Sequence, residues 1–313
     1  MLHNMKKILF MAVITMCLEL QAQEQPQYNL YMMQSSIINP AAMGSYDRIT
    51  FATLFNTQLT GFDGNPYLAM ADIVIPIGKT NAQIGSNIFY DRIGVNNRTS
   101  FQASFAYRIK LNPKNFLSFG IAGNVQLFSA DYTNLQVVDP DDPIQTNAYE
   151  NIVSPNMRIG FWYFRPNFYL GGVVGNIFHL KLNGGIANSS EIRTGVEDMH
   201  FYLQSGYQFR LHEKWIFQPS IMARYIMGSP FQLDVNTRFV YNDIFGFGAS
   251  YRTIEQVMAL VTVDIKKTFT IGYAANFGLG TQRNHTFYTG HEVFLKLMLS
   301  KTKRPIGVSV PHF

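Results

Sequence analysis

The chain has little of what disulfide-rich and helical membrane proteins depend on. Its 313 residues include one cysteine, Cys17, and only 14% are charged, against about 25% in a typical soluble domain. A single cysteine excludes a disulfide framework within the chain. After residue 22, no apolar run reaches the roughly 20 residues that a membrane-spanning helix requires. The composition therefore argues against both of these classes.

Motifs for catalysis and for binding of metals or cofactors are also missing. There is no Gly-x-Ser-x-Gly elbow and no phosphate-binding glycine loop. The segment 138–143 collects three carboxylates, but its prolines break the ligand spacing of a calcium loop, so a solvated acidic loop is favoured. None of five histidines has the spacing of a zinc site: His179, His200, His212, His285 and His291. We predict no catalytic, cofactor-binding or metal-binding residue, and no enzyme.

The basic residues do not indicate nucleic-acid binding. The formal net charge is +5, and the lysines and arginines sit singly rather than in a basic stripe. A nucleic-acid partner is therefore not predicted.

What the chain does have is an alternation of apolar and polar residues from about residue 48 onward. Successive side chains of a strand point to opposite faces, so such a segment has one apolar and one polar face. Between residues 98 and 110 the apolar face carries Phe101, Ala103, Phe105, Tyr107 and Ile109, and the polar face carries Ser100, Gln102, Ser104, Ala106 and Arg108. The pattern recurs at 117–127 and 231–239. A transmembrane β-barrel requires this pattern, because its exterior faces lipid and its interior is polar.

The alternation predicts an all-β fold, a transmembrane antiparallel up-and-down β-barrel of about fourteen strands, with twelve as the alternative. The predicted strands are 48–57, 66–76, 82–92, 98–109, 115–128, 155–164, 167–177, 200–211, 215–226, 231–241, 244–252, 256–265, 268–278 and 286–299. With this count the even-numbered connections are short, and the two longest, 129–154 and 178–199, are the fifth and seventh. Bacterial barrels have short periplasmic turns and longer extracellular loops, so the parity favours fourteen.

Glycines and aromatic residues add to the barrel prediction, against a soluble β-sandwich. Glycines recur within the predicted strands, which usually marks a bend or a close approach of other groups. They are Gly120, Gly123, Gly160, Gly171, Gly172, Gly246, Gly248 and Gly272. Aromatic residues at strand ends form the interfacial girdles of membrane barrels, and we predict Trp162, Tyr163 and Phe164 on the outward face.

Several charged residues fall within the predicted strands. Eight are predicted to face the lumen: Asp72, Asp234, Glu292, Arg108, Arg158, Arg210, Arg238 and Lys296. We favour ion pairs and hydrogen bonds that fill the interior over a lining that selects solutes. His291 falls on the outer face of the last strand, next to Glu292, where a protein contact is conceivable.

The start of the chain has the features of a secretory signal peptide. Lys6 and Lys7 precede the apolar run 8–18, and Ala22 marks the predicted cleavage site, so the mature chain has no cysteine. The predicted organisation is a signal peptide (1–22), an N-terminal periplasmic or plug segment (23–47), the barrel (48–299) and a C-terminal tail (300–313). The segment 23–47 is rich in large apolar residues, which argues against simple disorder. It would run into the lumen as a plug or lie beneath the barrel.

Five short motifs in order resemble the PorP/SprF family of Bacteroidetes. The start from Gln25 to Ser45 has the form Gln-x-Pro-x-Tyr…Tyr-Met…Asn-Pro-Ala-x-x-Gly-Ser. Later motifs are Pro219 to Asp234, with Arg224-Tyr225 between two prolines, then Gly248 to Arg252, Ile271 to Tyr273 and Gly290 to Val293. Two departures are Ala274-Ala275-Asn276 in place of a Tyr-Asp and a tail beyond the last strand.

The resemblance implies an outer-membrane protein of a Gram-negative, Bacteroidetes-type bacterium, belonging to the type IX secretion and gliding-motility machinery. It implies a non-enzymatic accessory or anchoring role that supports secretion or cell-surface attachment of a partner protein. The implied partners are a secreted surface protein or adhesin at the extracellular loops, and periplasmic lipoproteins of the machinery or a peptidoglycan-binding protein. An outer-membrane porin or transporter of hydrophobic substrates is the alternative, since fold alone does not decide function.

Overall fold

The computed structural model describes residues 28–61, 64–78, 80–131, 148–182, 190–193, 199–227, 229–253, 256–279 and 289–301. Within them the chain forms a closed antiparallel barrel of fourteen strands, one of them in two segments, and a separate two-stranded hairpin. The strands are β1 (Arg48–Thr57), β2 (Tyr67–Pro76), β3 (Ala82–Ile93), β4 (Asn96–Lys110), β5 (Phe116–Asp131), β6 (Ala148–Arg165), β7 (Phe168–Gly175), β8 (His179–Leu182), β9 (Ser190–Arg193), β10 (His200–Tyr207), β11 (Phe209–Arg210), β12 (Trp215–Ile226), β13 (Gln232–Tyr241), β14 (Phe245–Arg252), β15 (Gln256–Ile265), β16 (Phe269–Gly278) and β17 (Thr289–Lys301).

Each barrel strand pairs with its neighbours in sequence, and the sheet closes where β1 pairs with β17. Strands β10 and β11 form one barrel strand interrupted at Gln208, and both pair with β12. Strands β8 and β9 form a separate hairpin within the connection between β7 and β10. The predicted fold class and the count of fourteen are confirmed, and the alternative of twelve is wrong.

The predicted strand bounds differ from the observed ones mainly at the long connections. Strand β6 begins at Ala148 rather than residue 155, and β5 continues to Asp131. Strand β17 continues to Lys301, so the first two residues of the predicted tail belong to this strand, and Lys301 pairs with Arg48. The signal peptide, the acidic loop 138–143, His285 and the rest of the tail lie outside the described residues.

The two faces of the wall alternate as the sequence predicts. Phe101 and Phe105 of β4 are 52% and 44% exposed on the outside, whereas Ser100 is 1% exposed on the inside. The prediction was wrong for Trp162 and Phe164, which are buried inside the barrel. Because consecutive residues of a strand point to opposite faces, only Tyr163 of this trio can face outward.

The two ends of the barrel differ in their connections. Short turns join β2 to β3, β4 to β5, β6 to β7, β11 to β12, β13 to β14 and β15 to β16. Two of these turns place consecutive residues at positive φ, Asn242–Asp243 and Lys266–Lys267, the conformation of a type I′ hairpin turn. We call this end the short-turn end and the opposite end, which carries the connections 132–147 and 176–199, the long-loop end. In bacterial barrels short turns are periplasmic and long loops extracellular.

The segment before the first strand lies inside the barrel, and we call residues 28–46 the plug. The plug contains three short 3₁₀ helices, Tyr31–Met33, Ser35–Ile37 and Pro40–Ser45. Residues 29–44 are all buried. Among the described residues, no helix is both long and apolar enough to span a bilayer.

Candidate functional site: the plugged lumen

The plug runs along the lumen from the long-loop end toward the short-turn end. Its first residues contact Glu292, which lies three residues from the long-loop end of β17. Its last turn contacts Gly120, near the short-turn end of β5. The plug therefore crosses most of the depth of the wall before the chain enters β1.

The outer part of the plug, residues 28–36, is held by a buried carboxylate. Glu292 is fully buried and accepts the backbone N–H of Asn29 at 2.8 Å and that of Leu30 at 2.6 Å. Its Oε2 also accepts from Asn56 Nδ2, on the neighbouring strand β1, at 2.6 Å. Hydrogen bonds to an ionised group are roughly twice as strong as neutral ones, so Glu292 is a strong clamp on the start of the plug.

Two further charged side chains hold the rest of the outer part of the plug. Asp72 of β2 accepts from Gln34 Nε2 at 2.7 Å and from Ser36 Oγ at 2.9 Å. Lys296 of β17 donates to the carbonyl oxygen of Met33 at 2.8 Å. These charges are buried but hydrogen-bonded, as a low-dielectric interior requires.

An ion pair on two other strands of the wall reaches the start of the plug as well. Arg252 of β14 pairs with Asp234 of β13 through two parallel bonds of 2.8 and 2.9 Å. The same guanidinium lies 3.4 Å from the carbonyl oxygen of Tyr28, and Asn236 donates to the hydroxyl of Tyr31 at 2.6 Å. The outer part is thus tied to several strands around the barrel.

The inner part of the plug, residues 39–46, packs against three glycines of the wall, which we call the glycine seat: Gly85, Gly120 and Gly160. A Cβ built on Gly120 would lie 2.6 Å from Ala41 Cα and 2.5 Å from the carbonyl carbon of Pro40. A Cβ on Gly85 would lie 2.5 Å from Met43 Sδ, and one on Gly160 would lie 3.0 Å from Asn39 Cγ. Real Cβ atoms do not come this close, so Gly120 lets the plug backbone approach the wall, and Gly85 and Gly160 make room for plug side chains.

Asn39 links the inner part of the plug to the backbone of the barrel wall. Its side-chain oxygen accepts the N–H of Ala41 at 2.9 Å and so caps the third 3₁₀ helix, a role that asparagine fills well. Its side-chain nitrogen donates to the carbonyl oxygens of Phe161 and Gly172, at 3.0 and 3.1 Å, on the paired strands β6 and β7.

An aromatic cluster completes the inner part. Ala41 and Ala42 pack with Phe116, Trp162, Phe164 and Tyr169. The rings of Trp162 and Tyr169 stack with centroids 4.7 Å apart, and Gly171 leaves room for the indole. Trp162 and Phe164, which we expected in an outer girdle, therefore form part of the surface that contacts the plug.

Seven of the eight predicted lumen charges do face the interior. The exception is Arg210, which is exposed at the short-turn end and donates to the backbone carbonyl of Glu213 at 3.4 Å. The sequence prediction omitted five further interior charges, which the same alternation would have revealed in strands whose other face is clearly apolar: Asp91, Arg98, Arg224, Arg252 and Asp264. Three ion pairs join this interior set: Arg98–Asp91, Arg238–Asp264 and Arg252–Asp234.

The histidines that the structure describes share no common site. His200 is buried in the lumen, and His212 is exposed in a short turn. His291 lies on the outer face, as predicted, and its Nδ1 is 2.7 Å from the hydroxyl of Tyr273. Within the part of the chain that the structure describes, no cluster of three or more potential metal ligands is present.

The comparison with protein families decides the assignment. The family model of the type IX secretion system membrane protein PorP/SprF matches residues 20–297, which include the plug and nearly the whole barrel. The chain belongs to the PorP/SprF family. This PorP/SprF barrel is therefore a type IX secretion membrane protein of the outer membrane, which agrees with its fold.

This PorP/SprF protein is also similar to solved structures of other proteins. The toluene transporter TbuX of Ralstonia pickettii is 10% identical, with a TM-score of 0.51, over 87% of this chain and 94% of that chain. The toluene transporter TodX of Pseudomonas putida is 11% identical (TM-score 0.47, 88% and 93% covered). Omp33 of Acinetobacter baumannii is 7% identical (TM-score 0.47, 81% and 99% covered). At 10% identity the likeness to TbuX shows the barrel fold alone, and a comparison with curated proteins finds no similar sequence.

Proposed function

We propose that this PorP/SprF protein is a non-enzymatic accessory component of the type IX secretion system that anchors a secreted partner or supports its secretion. The barrel acts as a rigid outer-membrane scaffold. Its long-loop end meets a secreted surface protein or adhesin, and its short-turn end meets periplasmic lipoproteins of the machinery or a peptidoglycan-binding protein.

The observation that carries this proposal is the plugged lumen. Buried charges and close glycine contacts hold residues 28–46 across most of the depth of the wall. A conduit needs a path through the lumen, whereas a scaffold gains rigidity from a filled one. The plug therefore favours the anchoring role over an open porin.

The two ends offer surfaces of different kinds to partners. At the long-loop end, β5 and β6 extend to Asp131 and Ala148, and the hairpin β8–β9 adds strand structure to the next connection. The short-turn end exposes turn residues such as Lys267 and Asp243, whose charged groups pair at 2.9 Å. A large extracellular surface suits a large secreted partner, and compact turns suit docking onto a periplasmic assembly.

The first experiment is recovery of partners from the native outer membrane. The tagged protein is extracted in a gentle detergent, and bound proteins are identified by mass spectrometry beside an unrelated tagged barrel as control. We expect a secreted surface protein or secretion-machinery lipoproteins specifically with this chain. Recovery of the barrel without such partners would contradict the anchoring role.

Conductance in planar bilayers separates the scaffold from the porin alternative. We expect the intact mature chain to conduct ions poorly, and a variant lacking residues 23–47 to conduct well. Ready conduction or solute uptake by the intact chain would favour the porin or transporter.

The same deletion tests whether the N-terminal segment matters for partners. We expect the variant lacking residues 23–47 to remain a heat-modifiable barrel in the membrane but to lose partner recovery. A wholly unfolded product would show instead that barrel assembly and the N-terminal segment are inseparable.

A further inference from the structure

Above the middle of the plug, three arginines line one small cavity on the side of the barrel opposite Glu292. Arg98, Arg158 and Arg224 come from β4, β6 and β12 and share this cavity of about 30 Å³ with Tyr28, Tyr202 and Ile38. Arg98 and Arg224 each lie two residues from the long-loop end of their strand. The cavity therefore belongs to the extracellular half of the lumen.

Only one of these three arginines has a carboxylate partner among the described residues. Arg98 pairs with Asp91 at 2.6 Å. Arg158 donates to the backbone carbonyl of Ile37 at 3.1 Å, and Arg224 donates to the side-chain oxygen of Gln232 at 3.3 Å. The cavity thus has a local excess of positive charge among the described residues.

The hydrogen-bonding capacity of the arginines is not used up either. Arg224 is only 6% exposed, yet its Nε–H has no hydrogen-bond partner among the described residues, and the same is true of Nε of Arg98. A buried guanidinium normally finds an anion or a full set of acceptors. Arg224 is also held in place, since its guanidinium lies 5.4 Å from the ring centre of Tyr202.

We propose that this cavity is a binding site for a single carboxylate group of a ligand that arrives from the cell exterior. The cavity volume of about 30 Å³ exceeds the roughly 10–15 Å³ that one bound water requires, so a small anionic group such as a carboxylate can enter it. Guanidinium groups bind carboxylates through two parallel hydrogen bonds, which would use the free donors of Arg224 and Arg98. The aromatic side chains of Tyr28 and Tyr202 would contact the carbon next to the carboxylate.

The test compares acetate with acetamide, which has nearly the same shape and no charge. Thermal unfolding of the mature full-length chain in detergent is followed at constant ionic strength, set with sodium chloride. A ligand that binds only the folded state raises the melting temperature in a saturable way. We expect saturable stabilisation by acetate and none by acetamide, and equal effects of the two would overturn the proposal.

Variants of the site make the test specific. Arg224→Gln should weaken acetate binding at least tenfold, and Arg224→Lys, which keeps the charge but loses the fork, should weaken it less. Arg92→Gln is the matched control, because Arg92 is exposed at the same end and, among the described residues, bonds only the backbone of Gly94. Unchanged acetate binding in both Arg224 variants would overturn the proposal, and the lysine variant keeps the test usable if the glutamine variant does not fold.

The acidic segment 138–143 of the chain itself is another source of carboxylates. The triple variant Asp139→Asn, Asp141→Asn, Asp142→Asn separates it from an external ligand. We expect the same acetate affinity in this variant. A clear tightening would mean that the chain's own carboxylates compete for the cavity, and it would overturn the assignment to an external ligand.

Discussion

The two parts of the plug are held in the barrel by different physical means. The outer part, residues 28–36, is bound by charges of the wall: Glu292, Asp72 and Lys296 each bond its backbone or polar side chains. The inner part, residues 39–46, fits against glycines and aromatic rings, with Asn39 as its main polar anchor. A polar clamp can exchange its partner groups for water, whereas a close steric fit cannot be replaced. We therefore expect the outer part to open more readily than the inner part.

Cysteine labelling can follow the two parts separately. Cys17 is the only cysteine of the chain and lies in the predicted signal peptide, so the mature barrel gives a background without thiols. Met32→Cys then reports on the outer part and Ala42→Cys on the inner part, because both positions are buried. The rate of reaction with a soluble maleimide measures how often each part leaves the wall.

The largest effect is expected when the glycine seat is filled. Gly120→Val should displace the inner part, because its Cβ would collide with the backbone of Pro40 and Ala41, at a cost of about 3 kcal/mol. Labelling at Ala42→Cys should accelerate strongly.

Gly123→Val is the control for this substitution. Gly123 lies on the same strand, and a Cβ there would meet nothing within 4 Å. Equal acceleration by both variants would mean that the strand, and not the seat, is sensitive.

A smaller effect is expected when the clamp is weakened. In Glu292→Gln, one carboxylate oxygen becomes an NH₂ group that opposes the N–H of Asn29 or Leu30. The loss of a charged hydrogen bond costs about 1.5–3 kcal/mol, so labelling at Met32→Cys should accelerate.

Val293→Ala, on the lipid face of the same strand, should leave labelling unchanged. Faster labelling at Ala42→Cys as well in Glu292→Gln would show that the plug leaves as one unit, and the two-part description would then be wrong.

The smallest effect is expected at Asn39. Asn39→Ala removes a helix cap and two bonds to strand carbonyls, and we expect a loss of about 1–2 kcal/mol in the free energy of plug binding. Thermal release, read by labelling at Ala42→Cys across a temperature series, gives this value.

Asn39→Ser separates the two roles of this side chain. Serine can still cap but is too short to reach both carbonyls. The loss in the free energy of plug binding in this variant therefore measures the contacts to the strand carbonyls alone. A serine variant that behaves like the native chain would assign the whole effect to the cap.

The sequence predicted the wall of the barrel better than its interior. Alternation in β4 placed Phe101 outside and Ser100 inside correctly, because lipid and lumen impose opposite demands at period two. The error at Trp162 arose because aromatic content was weighed above alternation. The prediction that Arg210 faces the lumen was wrong, because the strand there is interrupted at Gln208 and ends in an exposed turn.

The seat of the plug could not be predicted from the sequence. Gly120 and Gly160 stood out as strand glycines, but which group they admit depends on contacts between residues far apart in the chain. The same holds for Glu292, whose neighbour His291 drew notice in the sequence while Glu292 itself holds the N–H groups of Asn29 and Leu30.

By itself, the sequence determined the barrel fold, favoured fourteen strands over twelve and indicated the family, because these follow from local periodicity and from ordered motifs. Only the tertiary structure decided what fills the lumen. Closing the wall brings β17 beside β1 and places the segment before β1 between strands that are distant in sequence. The partners of Glu292, Asp72 and Gly120 follow from that closure, since hydrogen bonding and steric fit depend on distances in space.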